Sequence, residues 1–124
     1  MRFLFLTVLL IFLTACERDP DFFTIGEPFE IAYDEELAIE GTTITVYFSD
    51  VIDNRCVSDE ACDTDDNAQV FLDVGGETLI LNTTIGQTQA EFRDLNFSLE
   101  NLSPEPNEED ISNELYQATL LVTE

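Results

Sequence analysis

The sequence predicts an all-β protein, a small antiparallel β-sandwich or partly closed barrel with one disulfide-bearing loop. Three observations carry that expectation. Apolar and polar residues alternate over short runs such as TTITVYFSDVI, AQVFLDV and YQATLLVTE, the period of a half-buried strand. Gly, Pro and Asn separate the runs, and no window shows the apolar spacing of an amphipathic helix. The count of six to eight short strands fits the layer rules for a sandwich or barrel. An immunoglobulin-like order would lack its usual Cys…Trp…Cys spacing, because the chain has no tryptophan.

Taken in order, FEIAY from Phe29 and ELAIE are the first strand candidates, and Gly41 separates them from TTITVYFSDVI. There Ile44, Val46 and Phe48 share one face, with Thr45, Tyr47 and Ser49 on the other. AQVFLDV aligns Val70, Leu72 and Val74 against Phe71 and Asp73. Gly75-Gly76 then leads straight into ETLILNTT, the clearest hairpin signal in the chain. IGQTQAEF reads as a turn or short irregular passage. DLNFSLENLSPEP aligns Leu95, Phe97 and Leu99, and is ended by Pro104 and Pro106, neither of which can donate to a ladder. The acidic NEEDISNE loop leads to a closing strand with Tyr116, Ala118, Leu120 and Val122 on one face. Phe29, Phe48 and Phe97 are core candidates; Tyr33, Tyr47, Phe71 and Phe92 suit the core first and a contact surface second.

The N-terminal MRFLFLTVLLIFLTAC has one basic residue, Arg2, an apolar run to Leu13 and a small-residue stop. It reads as an export signal, too short for a membrane helix. Its last four residues, Leu13-Thr14-Ala15-Cys16, resemble the lipobox of bacterial lipoproteins, which implies cleavage before Cys16 and acylation there. A plain secretory cut after Ala15 and a retained helix are the alternatives. The expected organisation is a signal over residues 1–15, a lipidated N-terminus and tether over 16–28, and one β domain over 29–124. Several acyl chains hold a protein to a bilayer, at roughly 0.8 kcal/mol per buried CH₂.

Twenty-seven acidic residues face four arginines, with no lysine or histidine. Removal of residues 1–15 takes away Arg2 alone and leaves a formal charge of −24 on 109 residues. Such a surface repels nucleic-acid phosphates, so nucleic acid is not an expected partner. The expected partners are the lipid bilayer, through the acylated N-terminus, and an envelope protein or glycan.

With Cys16 assigned to lipid, Cys56 and Cys62 remain as a pair in an exported chain, and a disulfide is the leading reading. Closing so short a loop stabilises the fold by roughly 2 to 3 kcal/mol in the chain-entropy picture. Redox chemistry is disfavoured because Asp59 and Glu60 between the cysteines oppose a thiolate. Zinc would need carboxylates to complete its ligand set. Arg55, beside Cys56, is expected to pair with a local carboxylate and to order the loop.

After Cys62, Asp63, Asp65 and Asn67 fall at alternate positions, like the first ligands of an EF-hand loop. The match then fails: Ala68 stands where the glycine belongs, and Val74 where the bidentate glutamate belongs. A looser Ca²⁺ site built on Asp63, Asp65 and Asn67, with Asp59, Glu60 or Asp66, is the alternative to a solvated acidic loop. No other cofactor is expected. The absence of histidine removes Ser-His-Asp, Cys-His and His-metal chemistry. Paired carboxylates leave a carboxylate-based hydrolase as a third reading, although no pair is singled out by spacing. The Asn82, Asn96 and Asn101 acceptor triplets read as accidental in a bacterial lipoprotein.

The order of motifs resembles a family of small bacterial lipoprotein domains. In VIDNRCVSDEAC, Asp53, Arg55, Cys56 and Cys62 match that family's Asp-x-Arg-Cys…Cys stretch; in LENLSPEP, Leu99, Leu102, Pro104 and Pro106 match its Leu-x-x-Leu-x-Pro-x-Pro segment; Tyr116 opens the closing strand. DTDDNA after Cys62 departs from the tryptophan-glycine segment found there. The resemblance implies an exported, disulfide-bearing β domain and brings no activity with it. The expectation from sequence is thus a non-enzymatic binding or structural accessory of the cell envelope.

Overall fold

The computed structural model describes residues 21–57, 66–106 and 111–124. Among these residues nine strands form two sheets, and the all-β expectation holds. They are β1 (Phe22–Phe23), β2 (Phe29–Ala32), β3 (Glu36–Ile39), β4 (Thr45–Asn54), β5 (Asn67–Val74), β6 (Glu77–Asn82), β7 (Gln89–Phe92), β8 (Leu95–Ser103) and β9 (Gln117–Thr123). One sheet has the order β1-β3-β4-β5-β6 and the other β2-β9-β8-β7. Every described pairing is antiparallel except β1 with β3, which is parallel. One turn of 3₁₀ helix, Asn113–Leu115, precedes β9.

Strict alternation makes the central strands. Along β5, Ala68, Val70, Leu72 and Val74 are buried while the residues between them are half-exposed. β4 does the same through Val46 and Phe48, then slips at a bulge between Phe48 and Asp50. The extra residue reverses the parity, so Val51 points into the core and Ile52 outward. A second bulge, between Leu99 and Asn101 in β8, likewise returns Leu102 to the interior. Gly75 and Gly76, with φ of 55° and 87°, make the two-residue β5–β6 turn, whose backbone twist requires positive φ at both positions.

The core lies between the sheets. Phe48, Leu72 and Leu81 from one sheet, and Ile31, Phe97 and Leu120 from the other, are fully buried. Side chains of this kind each contribute roughly 1.5–3 kcal/mol through burial. Among the described residues no polar or charged residue is fully buried.

One expectation is corrected, and the entry segment gains a core contact. From Asp21 to Pro28 the chain packs on the domain: Phe23 is buried, its ring stacked on Phe29 at 3.7 Å, and Gly26 N–H donates to Val122 O at 2.8 Å. An aromatic side chain with a core site outweighs the local Pro and charge signals. The passage IGQTQAEF contains β7, paired with β8. Its anchor is Phe92, whose ring lies against the backbone of Gly75; a Cβ there would stand 2.4 Å from Phe92 Cζ.

Candidate functional site

The chemistry-bearing side chains of the described residues gather where β4 leaves its sheet. After the bulge, alternation makes Asp53 and Arg55 core-facing positions, an unfavourable place for a lone charge. They satisfy one another. Arg55 Nε donates to Asp53 Oδ1 at 2.8 Å and Nη2 to Oδ2 at 2.9 Å, a two-pronged pair with side chains only 11% and 12% exposed. The expected local partner of Arg55 is therefore Asp53, and the pair is largely buried rather than on the surface.

The pair also crosses the sandwich. Arg55 Nη1 donates to Leu102 O at 2.9 Å and Nη2 to Pro104 O at 2.7 Å, both at the end of β8. The Tyr116 hydroxyl, at the foot of β9, donates to Asp53 Oδ2 at 2.7 Å. Burial pushes the Asp53 carboxyl up, but the combined hydrogen bonds from Arg55 and Tyr116 outweigh it and hold the group below its ordinary value. The hydrogen bond to Asp53 raises Arg55 against the opposing effect of burial. Burial, followed by the hydrogen bond to Asp53 and its charge, pushes the Tyr116 phenol up to about 12. A carboxylate held ionised and a phenol held neutral form a clasp between the sheets rather than an acid–base pair poised near neutrality.

Sequence reading found the Arg55 pairing but missed its reach to residues far along the chain. Asp53, Arg55, Leu102, Pro104 and Tyr116 all lie in the short stretches VIDNRC, LENLSPEP and YQATLLV.

Of the six proposed Ca²⁺ ligands, Asp66 and Asn67 are described; Asp59, Glu60, Asp63 and Asp65 lie outside the described residues, as do Cys16 and Cys62. Asp66 adopts φ 51°, and its Oδ1 accepts the Cys56 N–H at 2.8 Å, closing the base of the loop between β4 and β5. Asn67 Oδ1 accepts the N–H groups of Thr84 at 3.0 Å and Ile85 at 3.1 Å, while its Nδ2 donates to Asn82 Oδ1 at 2.9 Å. This amide thus pins the turn after β6, and its oxygen is already engaged. Among the described residues no group of three or more His, Cys, Asp or Glu is placed to hold a metal ion. A groove of about 200 Å³ separates the two features, lined by Arg55, Asp66, Thr83, Thr84, Glu100 and Leu102.

The aromatic candidates divide. Phe92 is buried, and Tyr33 packs edge-on against Phe48 with ring centroids 5.7 Å apart. Tyr47 and Phe71 stay half-exposed on the outer face. The Tyr47 hydroxyl donates to the Asp34 carboxylate, which holds the phenol above its ordinary value. No helix among the described residues is long and apolar enough to cross a membrane. No family model matches the chain, and neither does any curated protein or solved structure.

Proposed function

We propose that the chain is a lipid-anchored extracytoplasmic β domain of the bacterial envelope, acylated at Cys16, with Cys56 joined to Cys62. It acts through contact, as a binding or structural accessory. The observation that carries this reading is Leu13-Thr14-Ala15-Cys16 at the end of an apolar run. β1 begins at Phe22, six residues beyond Cys16, a span of at most about 22 Å when extended. The first strand is therefore held close to the lipid headgroups.

Two features support contact over catalysis. The largely buried charged groups Asp53 and Arg55 are tied to each other, to two carbonyls and to Tyr116. The exposed surface is overwhelmingly acidic, which favours cationic partners by long-range attraction. The test is expression in a bacterium followed by detergent phase partition. Wild-type chain enters the detergent phase, and Cys16→Ala remains in the aqueous phase or as unprocessed precursor. A wild-type chain cut before residue 16 that stays in the aqueous phase would overturn the anchor.

A further inference from the structure

Phe22 differs from the other described aromatic residues: it is 57% exposed, whereas each of the rest is buried or half-buried. Its backbone is fixed on both sides. Asp21 O accepts the Ala38 N–H and Phe23 O the Glu40 N–H, each at 3.0 Å, which bonds β1 to β3 before and after Phe22. Phe23 takes the core position, and alternation sends Phe22 to the outer face of the sheet. Its register partner there, Ala38, offers one methyl group, too little to cover a ring. β1 is also the end strand of its sheet, so no further described strand lies beyond it.

The chain that leads into β1 supplies the partner. Phe22 stands six residues beyond Cys16, at most about 22 Å of extended chain. A single exposed apolar side chain binds a bilayer weakly from solution. Held within that reach by an acyl anchor, it makes the second contact intramolecularly, so a weak preference is enough to dock it. An aromatic ring suits the boundary between headgroup and acyl chain. Ile80 is exposed on the same outer face but four strands away, roughly 19 Å at about 4.8 Å per strand. Charge decides the lipid. Asp21 precedes Phe22, and Glu36 and Glu40 flank Ala38, all three exposed. Carboxylates so placed repel anionic headgroups, which leaves a zwitterionic surface as the partner.

We propose that the Phe22 ring seats in the interfacial layer of a zwitterionic lipid surface and docks the domain on the membrane by its β1 edge. The contact rests on acylation at Cys16 and deepens that reading. A domain free to tumble on its tether becomes one held in a single orientation, with the β6 edge directed away from the lipid.

The chain has no tryptophan, so one introduced Trp is a unique fluorophore. The acylated full chain, with Phe22→Trp or Ile80→Trp, is reconstituted into phosphatidylcholine vesicles with plain or brominated acyl chains; bromine quenches a Trp that reaches the interface. The expected result is loss of fluorescence in brominated vesicles for Phe22→Trp and none for Ile80→Trp, at thermal midpoints matching wild type. Thr24→Trp reports with the native ring in place: it is quenched beside Phe22 and recovers when Phe22→Ser is added. This pair also serves if Phe22→Trp does not fold. An unquenched Phe22→Trp in an acylated folded chain, equal quenching at positions 22 and 80, or a Thr24→Trp signal indifferent to Phe22→Ser would each overturn the docking alone. A mature chain whose mass shows no acyl group overturns the anchor, and the docking with it.

Discussion

The Tyr116 hydroxyl donates to Asp53 Oδ2 at 2.7 Å, joining the foot of β9 to the end of β4 across the two sheets. Arg55 holds both oxygens of the same carboxylate and two carbonyls of the β8 end. One largely buried charge pair thereby fixes three strands at the end of the sandwich where β4 leaves its sheet.

Tyr116→Phe keeps the ring and removes the donor. Because the acceptor is charged, the loss is expected to be about 1.5–3 kcal/mol. Urea denaturation reads it as a lower midpoint with an unchanged slope.

The same hydroxyl sets an alkaline signature. With the folded phenol raised to about 12 and the unfolded one near its ordinary value of about 10, the stabilisation is complete below the unfolded value and is lost as pH rises through the folded one. The stability difference between wild type and Tyr116→Phe should therefore shrink between these two values. The acid side has the opposite sign. Asp53 is held below its ordinary value, so its contribution is present above the unfolded carboxylate value and is lost as pH falls through the folded one. Comparison with Asp53→Asn separates this effect from the general relief of acidic repulsion.

Arg55→Ala leaves a buried carboxylate without its counter-charge and is expected to destabilise by about 3–5 kcal/mol. Arg55→Lys restores the charge but not the fork, and should recover only part of the loss. The double variant Asp53→Leu/Arg55→Met removes both charges, and its loss should be smaller than the sum of the single losses. Equilibrium unfolding of the set checks all three.

Asn67→Ala unties Thr84 and Ile85 from the start of β5 and is expected to lower stability by about 1–3 kcal/mol. If Ca²⁺ binds the acidic loop through its carboxylates, 1 mM Ca²⁺, a test concentration of about this size, should shift wild type and Asn67→Ala by the same amount. A shift confined to wild type would make Asn67 a ligand despite its present bonds.

Gly75→Ala brings a methyl group against Phe92 Cζ at a position with φ 55°, whereas the space beside Gly76 is open. Both residues need positive φ, so both alanines destabilise, with Gly75→Ala the worse by about 1–3 kcal/mol. Thermal denaturation of the two variants measures the difference.

Much of this architecture was legible where one period ran unbroken. AQVFLDV and YQATLLV each show the alternation that becomes β5 and β9, and Gly75-Gly76 marks the hairpin turn between β5 and β6. The bulges were not legible, since a parity change at Asp50 or Asn101 follows from pairing with a neighbouring strand rather than from local sequence. They decide that Val51, Asp53 and Leu102 turn inward, and with them the position of the clasp. β7 escaped notice because its polar residues are exposed and only Ala90 and Phe92 turn inward. Asn67 carried a calcium-like spacing, yet its amide serves the turn after β6, a contact 17 residues away.

The most direct test of the account is the intact mass of the chain extracted from a bacterial membrane, measured after alkylation with and without prior reduction. The account predicts a chain beginning at Cys16 that carries acyl groups, with Cys56 and Cys62 alkylated only after reduction. An unacylated Cys16 together with immediate alkylation of the other two cysteines would contradict it.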